Sequence, residues 1–260
     1  MANRREARIG KNILLTFVLI GLIATSFILE LDARPELLYS SDNNNPSARA
    51  LDRCISAQIV AAGHTSRSEV TYLLCQDSAI TDLSSLSDLV NLEQLYLQGN
   101  ALSSLDSMPR LPKLKRISVA GAGLTSLKGI ENAPLLEELQ ANKNKISDLS
   151  GVEQLSQLKI VGIMMNDLTD ISVFTNLRQL ENIVLNYNDI RDIRPLANKP
   201  KLKHLQVYSN YISDITPLYG NMNMKIVGIR GKGNVPCRQI HEIRKRLAHD
   251  AKVWGQESCG

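Results

Sequence analysis

The sequence predicts an α/β solenoid, in which short parallel strands from successive coils stack into one sheet. The first observation is a segment that recurs every 22 residues through the middle of the 260-residue chain. The second is the order of residues inside that segment, which follows the pattern L-x-x-L-x-L-x-x-N-x-L. The third is the placement of the four cysteines, two towards each end of the repeats. A fixed period of this length is typical of solenoid proteins.

The strands are predicted from the apolar columns of the repeat. The first column is Leu92, Leu114, Leu136, Leu158, Leu180 and Leu202. The next two are Leu95, Ile117, Leu139, Val161, Ile183 and Leu205, then Leu97, Val119, Ala141, Ile163, Leu185 and Val207. Alternate residues of a strand point to opposite faces, so both columns point inward. A single coil cannot bury such a stripe, and stacking the coils fuses the stripes into one core.

An asparagine column follows each strand, where the chain bends. Its members are Asn100, Asn144, Asn166, Asn188 and Asn210, with Ala122 interrupting the series. A buried amide both donates and accepts hydrogen bonds. We therefore expect each asparagine to satisfy backbone groups of its own bend and of the neighbouring coil.

The array is predicted to cover residues 70–233, with poorer fit in its first and last coils. Solenoid ends expose core unless they are covered, so capping segments are expected at 49–69 and 234–260. Both segments carry apolar residues at helical spacing: Leu51, Ile55 and Ile59 in the first, and Ile240, Ile243 and Leu247 in the second. We therefore predict a helical cap at each end.

Three segments carry a family resemblance: NKISDLSGVEQL from Asn144, NDIRDIRPL from Asn188 and NYISDITPL from Asn210. They resemble the 22-residue, internalin-type class of bacterial leucine-rich repeats. The resemblance covers roughly residues 70–229. It implies a curved right-handed solenoid with a concave parallel β-sheet and short 3₁₀ turns on the convex side. It also implies binding of protein partners rather than catalysis. Lys199 departs from the pattern, because it stands in a column that is usually apolar.

The first residues predict export from the cytoplasm. Residues 1–12 are basic, with Arg4, Arg5, Arg8 and Lys11, and an apolar run occupies 13–31. Positive charge before an apolar run holds the amino end in the cytoplasm. The run is either a transmembrane signal-anchor or a cleaved signal peptide. Residues 32–48 are polar and asparagine-rich, which predicts a flexible linker. The repeats are then expected in the periplasm or at the cell surface, or secreted if the signal is cleaved.

The cysteines support the same placement. Cys54 and Cys75 lie near the amino-terminal cap, and Cys237 and Cys259 lie in the carboxy-terminal cap. In an oxidising compartment we expect the disulfides Cys54–Cys75 and Cys237–Cys259, because the other pairings would bridge opposite ends of a rod.

Catalysis is not predicted. Acidic residues recur once per coil at Asp82, Asp148, Asp170, Asp192 and Asp214, which leaves a metal ladder conceivable. We favour the alternative that these carboxylates accept hydrogen bonds from backbone amides of their turns. No nucleophile elbow, phosphate loop or zinc-protease motif appears in the sequence. We therefore predict no enzyme activity, no metal and no cofactor. The net charge of +4 is a mild bias that does not argue for nucleic acid.

Binding information is expected in the outward positions of the strands. Apolar and aromatic residues gather there on three adjacent coils, and a smaller group lies near the amino end, as is typical of interaction surfaces. The predicted partner-binding residues are Tyr72, Tyr96, Arg116, Glu138, Ile160, Met164, Met165, Val184, Tyr187, His204, Tyr208 and Arg230.

These observations predict a recognition module that binds a protein on its concave face. Two alternatives stay open. One is an envelope scaffold or rigid spacer without a discrete ligand site. The other is an intracellular regulatory-subunit-like repeat protein, which requires the amino-terminal apolar run to be irrelevant.

Overall fold

The structure is a computed structural model that describes residues 46–255 and Cys259, with side chains described from residue 49. The predicted basic segment 1–12, the apolar run 13–31 and most of the linker 32–48 lie outside the described residues. One difference is visible at the linker: the first helix, α1, spans Pro46–Ala62, so residues 46–48 are helical rather than linker. Within the described part of the chain, no helix has the length and apolar character needed to cross a bilayer.

Within the described residues, nine strands form one parallel sheet in chain order. They are β1 Tyr72–Leu74, β2 Gln94–Tyr96, β3 Arg116–Ser118, β4 Glu138–Gln140, β5 Ile160–Gly162, β6 Asn182–Val184, β7 His204–Gln206, β8 Ile226–Gly228 and β9 Lys252–Trp254. From β1 to β8 each residue pairs with the residue 22 positions further on, for example Leu139 with Val161. The predicted register is therefore confirmed.

The core lies between the sheet and a row of short 3₁₀ segments. All the predicted inward columns are buried, including Leu139, Ile163 and Leu185. The 3₁₀ segments are Arg67–Glu69, Ser84–Leu86, Ile130–Asn132, Val152–Gln154, Ser172–Phe174, Arg194–Leu196 and Thr216–Gly220. The solenoid with its 3₁₀ turns confirms the fold class that the repeat predicted.

The asparagine column bonds as expected. The Asn188 side-chain nitrogen donates to the carbonyl oxygens of Leu185 at 3.0 Å and Ile163 at 2.9 Å. Its side-chain oxygen accepts from the backbone nitrogen of Leu168 at 3.1 Å. Each amide therefore ties its own bend to the preceding coil, and Asn210 repeats the arrangement one coil later.

The amino-terminal end is closed by α1, whose Leu51, Ile55 and Ile59 are buried. Gln58 of this helix bonds to both backbone groups of Leu74, accepting from its nitrogen at 3.2 Å and donating to its oxygen. Its side chain therefore takes the place of a neighbouring strand at the outer edge of β1, which protects that edge from pairing with other chains.

The carboxy-terminal end is closed by α2, Cys237–Arg246, which buries Ile240 and Ile243. Both predicted disulfides are present: Cys54–Cys75, with Cα atoms 5.9 Å apart, and Cys237–Cys259, with Cα atoms 5.1 Å apart. The repeat pattern predicted that the sheet ends with the coil containing Val227. Instead β9, within the cap, adds a ninth strand, with Val253 paired to Val227.

Lys199, the departure from the apolar column, is almost fully buried. Its ammonium donates to the carbonyl oxygens of Phe174 and Thr175, both at 2.6 Å. Burial, with a smaller contribution from Arg178, lowers the pKa of Lys199. The column tolerates this lysine because the carboxy-terminal end of a 3₁₀ segment supplies acceptors for its charge.

Candidate interaction surface

The outward positions of the nine strands form the concave face. It carries most of the predicted partner-binding residues: Tyr72, Tyr96, Arg116, Glu138, Ile160, Val184 and His204 within strands, and Met164, Tyr208 and Arg230 two residues beyond them. The side chains on the other face of the sheet pack into the hydrophobic core. The sequence therefore places these side chains on a rigid surface that is set by the repeat.

An aromatic pair lies at the amino-terminal end of the concave face. The rings of Tyr72 and Tyr96 have centroids 5.4 Å apart, and Tyr72 is 47% exposed. Leu74 is also exposed beside them. The Tyr96 hydroxyl donates to the side-chain oxygen of Gln94 at 3.1 Å, which orients the ring.

Two of the predicted partner-binding residues form an ion pair with each other. Arg116 and Glu138 approach to 3.5 Å. A chain of amides continues from Glu138: Gln140 donates to it, Asn142 donates to Gln140, and Asn142 accepts from the backbone nitrogen of Met164 at 2.8 Å. The charge of this part of the face is therefore neutralised internally, and its polar groups are held in fixed orientations.

The predicted apolar patch divides into two parts. Ile160, Met164, Val184 and Tyr208 are half-buried on the concave face. Met165 and Tyr187 are exposed, by 43% and 53%, but they lie in the bends that follow β5 and β6. Strand alternation does not extend into these bends, so the sequence pattern could not separate the two parts.

The bends that hold Met165 and Tyr187 share an unusual backbone conformation. Equivalent positions with positive φ are Asp77, Gly99, Gly121, Lys143, Met165, Tyr187 and Ser209, with φ between 48° and 70°. Glycine adopts this conformation at no steric cost, whereas other L-residues lose about 1–2 kcal/mol each. Met165 and Tyr187 therefore occupy positions where glycine would favour folding.

The carboxy-terminal end of the concave face carries two aromatic residues, Tyr208 and Trp254, whose proximity the repeat pattern did not predict. The Tyr208 ring lies against Gly228, where a Cβ atom would overlap it. Gly228 pairs with Trp254 of β9, which is 43% exposed on the same face. Trp254 was missed because β9 lies 26 residues after β8 rather than 22. Its signal was the alternation Lys252-Val253-Trp254, with the apolar valine between two outward residues.

The carboxylates of the acidic column accept hydrogen bonds within their own turns, as expected. Where a coil carries one, it accepts from the backbone nitrogen two residues on, as Asp148 does from Ser150 at 2.9 Å and Asp214 from Thr216 at 3.0 Å. No group of histidine, cysteine and acidic side chains in residues 46–255 and 259 is arranged to hold a metal ion. A shallow cleft of about 570 Å³ lies between His64 and Lys113, and none of the predicted partner residues lines it.

Comparison with known proteins finds similarity to leucine-rich repeat proteins. A family model for leucine-rich repeats, in two copies, matches residues 178–220. No curated protein sequence matches the chain. Internalin C2 from Listeria monocytogenes is 22% identical, with a TM-score of 0.53 over 67% of this chain and 90% of that chain. A leucine-rich repeat protein from Leptospira interrogans is 19% identical, with a TM-score of 0.63 over 77% of this chain and 52% of that chain.

A third similar structure is the leucine-rich repeat ectodomain of the plant membrane receptor kinase GASSHO1/SCHENGEN3 from Arabidopsis thaliana, solved in complex with CASPARIAN STRIP INTEGRITY FACTOR 2. It is 20% identical, with a TM-score of 0.52 over 70% of this chain and 27% of that chain. At these identities the likeness concerns the fold alone. The 22-residue repeat, the solenoid and the family model that matches residues 178–220 together show a leucine-rich repeat fold, similar to that of internalin C2.

Proposed function

We propose that the chain is a non-enzymatic recognition module that is exported from the cytoplasm and binds a protein partner on its concave face. The observation that carries this proposal is the distribution of side chains on that face. Aromatic residues lie at both ends, Tyr72 and Tyr96 at one and Tyr208 and Trp254 at the other, with half-buried apolar residues between them. Large aromatic side chains on a rigid surface are typical of binding hot spots.

Two further points support the proposal. The plant ectodomain with a similar fold was solved with a bound factor, which favours protein recognition by the fold. The disulfides Cys54–Cys75 and Cys237–Cys259 favour an oxidising compartment, in agreement with the predicted export signal. Attachment to the membrane through residues 13–31, or release after cleavage, remains part of the same proposal.

The test uses the full-length chain with a carboxy-terminal tag, expressed in its source cells. Tyr72→Glu, Met164→Glu and Trp254→Glu each place a charge on the concave face, and Gln157→Glu places one in an exposed turn outside it. Crosslinked proteins are quantified by mass spectrometry, and folding is checked by thermal melting. We expect proteins captured by the wild type and by Gln157→Glu to be depleted in all three concave variants.

Equal capture by all four variants would favour the rigid-spacer alternative instead. Cell fractionation of the tagged chain separates anchored from released forms. Labelling of intact and denatured cells with a thiol reagent tests the compartment, because reactive thiols at Cys75 and Cys259 would favour the intracellular alternative.

A further inference from the structure

The exposed bends beside the concave face hold a second group of apolar side chains. Met165 and Tyr187 occupy equivalent positions on neighbouring coils, and strand spacing places such positions about 5 Å apart. Neither side chain belongs to the buried core. Within the described residues, the Tyr187 ring makes no hydrogen bond and no contact with another ring. Packing inside the molecule therefore does not explain why these residues replace glycine at positive φ.

Glycine is the natural comparison at this position. Gly99 and Gly121 hold the same bend in two earlier coils, with φ of 70° and 62°. Met165 and Tyr187 hold it with φ of 57° and 58°. Backbone conformations that disfavour the resident side chain cluster at functional sites, where the side chain has a role outside folding. The two large apolar residues are adjacent, so they form one surface feature.

Basic residues lie on both sides of this feature. The flank formed by residues 143–147, 165–169, 187–191, 209–213 and 231–234 has four basic side chains and two acidic ones. The basic residues are Lys143, Lys145, Arg191 and Lys232, and the acidic residues are Asp167 and Asp189. The corresponding flank of the two coils before it, residues 99–103 and 121–125, carries no charge.

On the carboxy-terminal side of the flank, the Tyr211 ring contacts two basic side chains. The Arg191 guanidinium lies 4.7 Å from the centre of its ring and the Lys232 ammonium 4.6 Å from it. Lys232 also approaches Asp189 to 3.6 Å, which offsets part of the charge. Lys143, Lys145 and Arg191 make no ion pair with the described residues. The carboxylates of the acidic column just beyond the flank accept hydrogen bonds within their own turns. A partner surface with carboxylates would complement the three basic side chains.

We propose that Met165 and Tyr187, with Lys143, Lys145, Arg191 and Lys232, form a docking ridge for an acidic protein segment that presents an apolar side chain. The apolar pair contacts the partner's apolar residue, and the basic side chains attract its carboxylates. The ridge borders the concave face at β5 and β6, so this inference rests on the proposed recognition function and names the chemistry of the partner.

The experiment selects short random peptides, displayed on phage, against the full chain. We expect the enriched peptides to carry Asp or Glu around an aromatic or aliphatic residue. The binding of one such synthetic peptide is then measured by fluorescence polarisation with the wild type and with Met165→Gly and Tyr187→Gly. Each glycine variant should weaken binding about tenfold or more, as the loss of a hot-spot side chain does.

The same glycine variants should unfold at an equal or higher denaturant concentration, because glycine relieves the backbone conformation. If these side chains served only to stabilise the fold, the glycine variants would unfold at a lower denaturant concentration than the wild type. Ser209→Gly is the matched control, since it changes an equivalent bend with φ of 54° outside the apolar pair. It should leave peptide binding unchanged. Raising the salt concentration should weaken binding by the wild type.

The outcomes separate the two proposals. Enriched peptides without acidic residues, or equal binding by the wild type and both glycine variants, would overturn the ridge. Binding that is lost in Tyr72→Glu and Trp254→Glu, but kept in the glycine variants, would overturn the ridge and leave recognition by the concave face standing.

Discussion

At the scale of single residues, the asparagine column carries much of the specificity of the fold. Asn188 is 2% exposed and bonds to four backbone groups on two coils. Removing the amide leaves buried backbone donors and acceptors without their side-chain partner. Ala122 shows that one coil tolerates the loss, with Gly121 and Gly123 beside it in permissive conformations.

The first prediction concerns Asn188→Ala. We expect the free energy of unfolding to fall by about 2–3 kcal/mol, because buried backbone groups lose their partners. Urea denaturation followed by circular dichroism measures the change. Asn182→Ala is the control, since the Asn182 side chain is half-buried on the concave face and makes no hydrogen bond with the described residues. Similar losses in the two variants would contradict the role assigned to the column.

At the scale of the structural element, the turn after each bend depends on its acidic residue. Hydrogen bonds from the Ser150 and Ser126 hydroxyls and the Ser150 backbone lower the pKa of Asp148. Hydrogen bonds from the Arg194 side chain and backbone lower the pKa of Asp192. The Thr216 backbone and hydroxyl do the same for the pKa of Asp214. The ionised carboxylate is therefore the form that the folded turns favour.

The second prediction follows from the sign of these shifts. A carboxyl whose pKa is lower when folded stabilises the protein fully above its ordinary pKa. That stabilisation is lost as the pH falls through the lowered value. Replacing Asp148, Asp192 and Asp214 together by Asn should flatten the decline of unfolding free energy between about pH 4 and pH 2. Denaturation across this range measures it. Asp167→Asn, at a position outside the turns, should keep the wild-type decline, and an unchanged slope in the triple variant would refute the assignment.

The strands and helices also show which features of the fold can be predicted from the sequence. The period of 22 predicted the strands from β1 to β8, their register and the asparagine bonds, because each depends on local alternation and stacking. It did not predict β9, since the disulfide-bonded cap breaks the period and brings Val253 beside Val227 through α2. The extent of α1 was also missed at its start, because Pro46 begins the helix within a polar segment.

The candidate surface was predictable only in part, for a physical reason. Alternation along a strand assigns Tyr72 or Glu138 to the concave face without further information. It says nothing about the bend after the strand, where φ becomes positive and redirects Met165 and Tyr187. The ion pair between Arg116 and Glu138 depends on the side-chain conformations of two residues on neighbouring coils. Aligning the repeats shows that the two residues are neighbours but does not specify these conformations.

At the scale of the whole molecule, stability is approximately a sum of coil and interface contributions, so the ends unfold first. The disulfide Cys54–Cys75 joins the amino-terminal cap to the first coil, and Cys237–Cys259 closes the carboxy-terminal cap. Cys54 lies in α1 and Cys75 follows β1, with a sequence separation of 21, and Cys237 and Cys259 are separated by 22. A crosslink that closes a loop of this size contributes about 3 kcal/mol by restricting the unfolded chain.

The third prediction is that each disulfide protects its own end. In the double variant Cys54→Ala with Cys75→Ala, hydrogen exchange should accelerate in α1 and β1, because no crosslink then opposes fraying of that end. Exchange in β5 and β6 should stay near the wild-type rate. The double variant Cys237→Ala with Cys259→Ala is the matched control and should accelerate exchange in α2 and β9 instead. Hydrogen exchange followed by mass spectrometry separates these regions. Uniform acceleration in either variant would mean that the nine strands unfold as one cooperative unit, in which case the crosslinks act on the whole solenoid rather than on its ends.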